Sequence, residues 1–149
     1  MHDSGLPYDA MPVIDGGKTN NTPCPYLETQ WVADTNGERM QGQGIDTRFE
    51  TPACVFYSYA ETPQLQVIVR HTNSIEESRQ VVDWAAPIDS TEPAEDMEGW
   101  SGGRGQVSNP PGAVYAVAKE NVAVVVFTDQ EQSVKAQLVA AETIRALGL

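Results

Sequence analysis

Residues 113–130, AVYAVAKENVAVVVFTDQ, decide the fold. Two runs of β-branched and small apolar side chains, 113–118 (AVYAVA) and 122–128 (VAVVVFT), flank a short polar break. Such runs suit a pleated, buried surface. The break Glu120-Asn121 predicts a tight turn, because Asn tolerates a left-handed backbone. The second run has no polar interruption from Val122 to Phe127. That pattern predicts a central strand covered on both faces. It is strand length, far short of the roughly 20 apolar residues a membrane helix needs.

Working outward, the downstream segment predicts a helix over 130–147. Asp129-x-x-Gln132 offers a capping box, and Val134, Leu138, Ala141 and Ile144 form an apolar stripe. Gly148 is a natural stop. Upstream, 53–59 (ACVFYSY) and 65–72 are strand-like, with the turn residues Thr62-Pro63-Gln64 between them. In the second of these strands Leu65, Val67 and Val69 point one way, and Gln66, Ile68 and Arg70 the other. A short strand is expected at 45–50. Ser74-x-x-Glu77 is a capping box that opens a helix ending before Pro87, with Ile75, Val82 and Ala85 on one face and Val81 beside them. A first helix is expected over 23–33, capped by Thr22, with Cys24, Leu27 and Trp31 sharing a buried face.

Residues 87–112 carry four prolines, five glycines and a run of acids, and no helix or strand period survives there. This predicts a long irregular loop, a kind of segment that is often functional. Residues 1–22, rich in Gly, Pro, Asp, Asn and Thr, predict a flexible tether. The expectation is a single α+β domain over 23–149. Its order is α-β-β-β-α-β-β-α, with about five mostly antiparallel strands and three helices.

Composition removes several function classes. The chain has 149 residues, enough for one domain with its own core. Nine basic residues against 21 acidic ones give a formal charge of −12. Phosphate backbones and anionic lipid surfaces both demand basic protein surface, so nucleic acid and lipid docking are disfavoured. Cys24 and Cys54 fit no zinc spacing, CxxC is absent, and His2 and His71 lie far apart. Either the two cysteines are separate buried thiols or they form one structural disulfide.

Among candidate sites, the acids Asp83, Asp89, Glu92, Glu95, Asp96 and Glu98 lack the EF-hand pattern and read as a solvated acidic surface. Gly99 to Gly105 (GWSGGRG) matches neither GxGxxG nor GxxxxGK[ST]. It holds the candidate interaction surface Trp100, Ser101 and Arg104, since an exposed Trp beside an Arg is hot-spot chemistry. The alternative is an irregular loop whose Trp caps a core edge. Ser101, Ser108 and Ser133 sit in no GxSxG elbow, and His71 is the one candidate base. Trp31, Trp84, Trp100 and tyrosines 26, 57, 59 and 115 could line a ligand pocket. No coherent catalytic set, cofactor site or metal site emerges.

Four segments carry a resemblance. CPYLETQWVADTNGE (24–38), DTRFETPACVFYSY (46–59), VVDWAAPIDSTEPAE (81–95) and GWSGGR (99–104) resemble an actinobacterial, corynebacterial-type family of secreted or lipid-anchored proteins of unknown function. More distantly, the layout is similar to mycobacterial envelope lipoproteins with a PsbP-like sandwich. The resemblance implies export to the cell envelope and a Cys24–Cys54 disulfide, and it implies no catalytic residues. The expected function is therefore a non-enzymatic, exported module that binds an envelope protein. The alternative is a binder of a small envelope ligand, a glycan or lipid, and the third reading is a hydrolase. A pocket between sheet and helix, lined by aromatics, would favour the ligand binder.

Overall fold

The computed structural model describes residues 3, 5–108 and 111–149. The elements run α1 (Thr29–Asn36), β1 (Gly42–Asp46), β2 (Ala53–Tyr57), β3 (Pro63–His71), α2 (Ile75–Ala85), β4 (Glu92–Ala94), β5 (Ser101–Ser108), β6 (Pro111–Lys119), β7 (Val122–Thr128) and α3 (Val134–Leu147). The strands form one seven-stranded sheet in the order β1-β2-β3-β7-β6-β5-β4, and every neighbouring pair is antiparallel. The class is α+β, as expected, with seven strands rather than about five.

The sheet is the middle of three layers. One face carries Leu65, Val67, Val69, Tyr115 and Val124 and packs against α1 and α3. The opposite face carries Ile68, Val114, Ala116 and Val125 and packs against α2. The central strand β7 lies between β3 and β6, and Ala123 to Val126 are buried throughout. A strand covered on both faces has no solvent side, which is why its apolar run is continuous. The alternation read for β3 is also as expected, since Leu65, Val67 and Val69 sit in one core and Ile68 in the other.

The two additional strands come from the segment expected to be a loop, 87–112. β5 pairs with β6 from Ser101↔Ala118 to Ser108↔Pro111, and the short β4 covers the far edge of β5. Glycines hide this strand from any period-2 pattern, because they have no side chain to alternate. They also permit it. A Cβ on Gly102 would fall 1.9 Å from the Ala116 carbonyl oxygen of β6.

Several local expectations shift. The first helix begins at Thr29, not at residue 23. Pro25 disfavours helical backbone at Cys24, and Thr22 N–H donates to Gln43 O (3.0 Å), which holds this stretch extended along β1. Gly37, at φ 79°, ends α1. The strand expected at 45–50 stops at Asp46, whose carboxylate accepts the Arg48 N–H (3.0 Å) and turns the chain. In the β6–β7 turn Glu120, not Asn121, is left-handed (φ 54°).

The Ser74 cap forms as read, its Oγ accepting from Glu77 N–H (3.2 Å), while the Glu77 carboxylate accepts from Asn73 N–H (3.1 Å), one residue before the cap. The buried face of α2 is Ser78, Val81, Val82 and Ala85, while Ile75 is 61% exposed. The α3 stripe rotates likewise. Ala136, Val139, Ala140 and Thr143 are buried, and Val134 and Leu138 are exposed. Small residues bring the helix backbone close to a flat sheet face, and the larger ones fall at the rim. The Asp129-x-x-Gln132 box is not used, since the helix begins after Ser133.

The segment expected to be a tether, within 1–22, makes specific contacts where it is described. Leu6 and Ala10 pack on the α2-side core. Asp3 is buried, and its N–H donates to His71 O (2.7 Å).

Candidate functional site

The α2 layer stops short of one end of the sheet. Pro87 has no N–H to continue the helix, and the chain folds into a turn in which Thr91 Oγ1 donates to Pro87 O (2.7 Å) and Ser90 N–H to the same oxygen (3.1 Å). This turn lies directly on β5. A Cβ on Gly103 would meet Thr91 Oγ1 at 2.8 Å and Ala86 Cβ at 3.0 Å, so glycine is what lets the turn settle there. Beyond it, between the end of α2, the 87–91 turn and the ends of β3, β5, β6 and β7, a cleft of about 600 Å³ remains open. That volume is in the range of small-ligand sites.

Gln66 and Phe127 form the cleft floor as directly paired residues of β3 and β7. Trp84 meets Phe127 edge-to-face, with centroids 5.9 Å apart and planes at 75°. Both rings are half-buried. Gln106, Ser90 and Met11 line the walls. Asp129 closes one end, where the Gln130 amide bridges two carboxylates, donating to Glu38 (2.8 Å) and to Asp129 (3.1 Å).

Burial, reinforced by Glu38, pushes the Asp129 carboxyl up to about 6. The folded state therefore holds a proton that the unfolded state has released, and stability falls as pH rises from about 4 to about 6. Across that window the urea midpoint of the wild type should fall relative to that of Asp129→Asn as pH rises. An unchanged profile in the variant would assign the dependence to other groups.

The residues singled out from sequence are dispersed. Cys24 and Cys54 are joined in a disulfide (S–S 2.09 Å). Trp100 is 5% exposed and sits in the α1/α3-side core, so it offers no exposed ring beside Arg104. Ser101 accepts Arg79 through its carbonyl (2.8 Å) and its hydroxyl (3.3 Å). Arg104 is tied to Ser133 Oγ (2.9 Å) and Asp96 (2.9 Å) and lies over the Tyr115 ring (5.3 Å). Tyr115 O–H donates to the same Asp96 carboxylate (3.2 Å), so one acid of the acidic run is engaged within the domain. Of the three tryptophans only Trp84 reaches the cleft, Trp31 lying elsewhere at the edge of the α1/α3-side core.

His71 Nε2 lies 2.8 Å from Thr51 Oγ1, and its Nδ1 lies 3.8 Å from a Glu50 carboxylate oxygen. The second distance is longer than a hydrogen bond. The imidazole ties the turn before β2 to the end of β3.

Sequence reasoning missed Gln66, Phe127, Gln106 and Asp129 as site residues. One signal was present: Gln66 shares a strand face with Ile68, where an apolar side chain is the default.

The structure defines a three-layer α+β domain with an aromatic-floored cleft on the α2 side of the sheet and a disulfide on the opposite side. The chain belongs to the family described as a domain of unknown function, DUF2020, whose model matches residues 6–149. No curated protein matches it.

Proposed function

We propose that this is an exported, non-enzymatic binding domain whose cleft takes a small ligand with an apolar face. One observation carries the reading: the half-open cleft of about 600 Å³ between sheet and α2, with Phe127 on its floor and Trp84 against it. Small-ligand sites combine apolar or aromatic lining with a few placed polar groups, and here Gln66, Gln106 and Ser90 are those groups. The Cys24–Cys54 disulfide supports export, because such bonds persist in oxidising compartments. The three-layer arrangement is in keeping with the PsbP-like sandwich and the envelope setting that the resemblance implies. A protein-interaction surface at Ser101 and Arg104 is less well supported, since both side chains are engaged within the domain.

Trp84→Ala tests the reading. It removes an aromatic contact surface and should weaken ligand retention about tenfold or more. Native mass spectrometry of protein isolated from its source cells should show a small adduct on the wild type that is lost on denaturation and absent from the variant. An adduct that Trp84→Ala retains, or a wild type that is always bare, would overturn the reading. A wild type that instead carries a second polypeptide would favour the interaction module.

A further inference from the structure

We infer that the ligand class is an uncharged carbohydrate, with a pyranose ring lying against Trp84 and hydrogen-bonded by Gln66 and Gln106. This rests on the cleft reading above and adds the chemistry of the occupant.

The first argument is charge. Among the described residues that line the cleft there is no Lys, Arg or His, and the one ionisable side chain is the acid Asp129. Phosphates, sulfates and fatty-acid carboxylates are recognised by cationic side chains or clustered backbone N–H groups. On a chain of net charge −12 this cleft repels them. Against a cation the described lining offers a single acid, Asp129 at one end of the cleft, and no other carboxylate.

The second argument is the floor. Gln66 lies on the α2-side face of β3, directly paired with Phe127. It is half-buried, and among the described residues its amide makes no hydrogen bond within the domain. The same holds for Gln106 and for the Ser90 hydroxyl, both exposed at the rim. An amide offers two donors and a carbonyl acceptor in one plane. A lipid acyl chain laid on this floor would strip water from Gln66 and return no hydrogen bond. A sugar does the reverse. Its ring presents C–H groups to an aromatic surface, and its hydroxyls, which donate and accept together, meet amides and hydroxyls at the edges. The aromatic pair and the unpartnered amides are then satisfied by a single ligand.

The experiment follows the Trp84 indole N–H resonance of the full chain during titration with three probe sets. These are neutral mono- to trisaccharides, the same sugars as phosphate esters, and a monoacylglycerol below its micelle concentration. Each is repeated with Trp84→Ala, to assign the resonance, and with Gln66→Leu. Gln66→Leu keeps the side-chain volume while deleting the amide. At least one neutral sugar should shift the resonance saturably, its phosphate ester should bind at least tenfold more weakly, and Gln66→Leu should weaken the neutral sugar about tenfold. Monoacylglycerol binding that Gln66→Leu leaves intact or strengthens, with no sugar bound, would overturn the carbohydrate assignment while the cleft reading stands. Tighter binding of the phosphate ester would overturn the charge argument. If no probe moves the resonance, both fail. Matching far-UV circular dichroism of the wild type and Gln66→Leu excludes misfolding as the cause of a lost response.

Discussion

Replacing Cys24 and Cys54 together with alanine is expected to lower the unfolding free energy by about 3–4 kcal/mol. The bridge spans a sequence separation of 30, and in the chain-entropy account a closed loop of that size restrains the unfolded chain by that amount. Its structural setting points the same way. Cys54 is fully buried in β2, beside the central strands, whereas Cys24 lies in the stretch before α1 that has no helix of its own. The bond fastens irregular chain to the sheet and lets Leu27 and Tyr26 reach the α1/α3-side core. Alanine is preferred to serine, because a hydroxyl at a fully buried position would lack a partner. Urea unfolding of the wild type, the double variant and the reduced wild type measures it. The last two should fall together, and a midpoint change worth less than about 1 kcal/mol would show that the bridge is thermodynamically idle. Total stabilities are commonly about 5–15 kcal/mol, so the expected loss is a large share.

Asp3→Ala should cost about 3 kcal/mol or more, because it strands a buried cation. Arg70 is 2% exposed, and its Nε, which has no hydrogen-bond partner among the described residues, lies 3.9 Å from the Asp3 carboxylate. Its remaining nitrogens donate to main-chain carbonyls of the same N-terminal segment, Pro7 O (3.0 Å), Leu6 O (3.3 Å) and Asp3 O (3.4 Å). The Phe49 ring lies 5.3 Å from the guanidinium carbon. Burial pulls the Arg70 guanidinium below its usual range, and Asp3 is the main opposing influence. The Asp3 carboxylate also accepts from Glu50 N–H (2.6 Å) and His71 N–H (2.7 Å), so its loss unsatisfies two backbone donors as well. Removing both charges is gentler than removing one. Asp3→Ala with Arg70→Met should recover a good part of the loss, and a denaturation cycle across the two sites gives the coupling. A single-variant cost under about 1 kcal/mol would mean that apolar contacts of Leu6 and Ala10 hold the segment instead.

Much of the fold was legible because its signals are short-range. The β2–β3 hairpin follows from the alternation of 65–72, the α2 start from Ser74 and Glu77, the β6–β7 hairpin from two apolar runs around a polar break, and the α3 end from Gly148. What was misread has a common cause. Helix faces depend on the neighbour. Ile75 and Leu138 are apolar at helical spacing, yet the sheet takes Ser78 and Ala140, the residues small enough for close approach. Trp100 carries no mark of burial in a glycine-rich segment, because the core that receives it is built from α1, α3 and the strands β2, β3, β4, β6 and β7.

By itself the sequence determined the class, the central antiparallel hairpins, the acidic character and, through resemblance, the disulfide. Period and turn chemistry act within a few residues, so they can be read locally. Only the tertiary structure decided that GWSGGRG becomes a strand, that Asp3 and Arg70 pair in the interior, and that a cleft exists. A glycine strand takes its conformation from the backbone lying against it. A buried ion pair needs two segments brought together from opposite sides of β1 and β2. The cleft is the space left where α2 ends before the sheet does, and it joins Gln66, Trp84, Gln106 and Phe127 only once β3, β5 and β7 share one register.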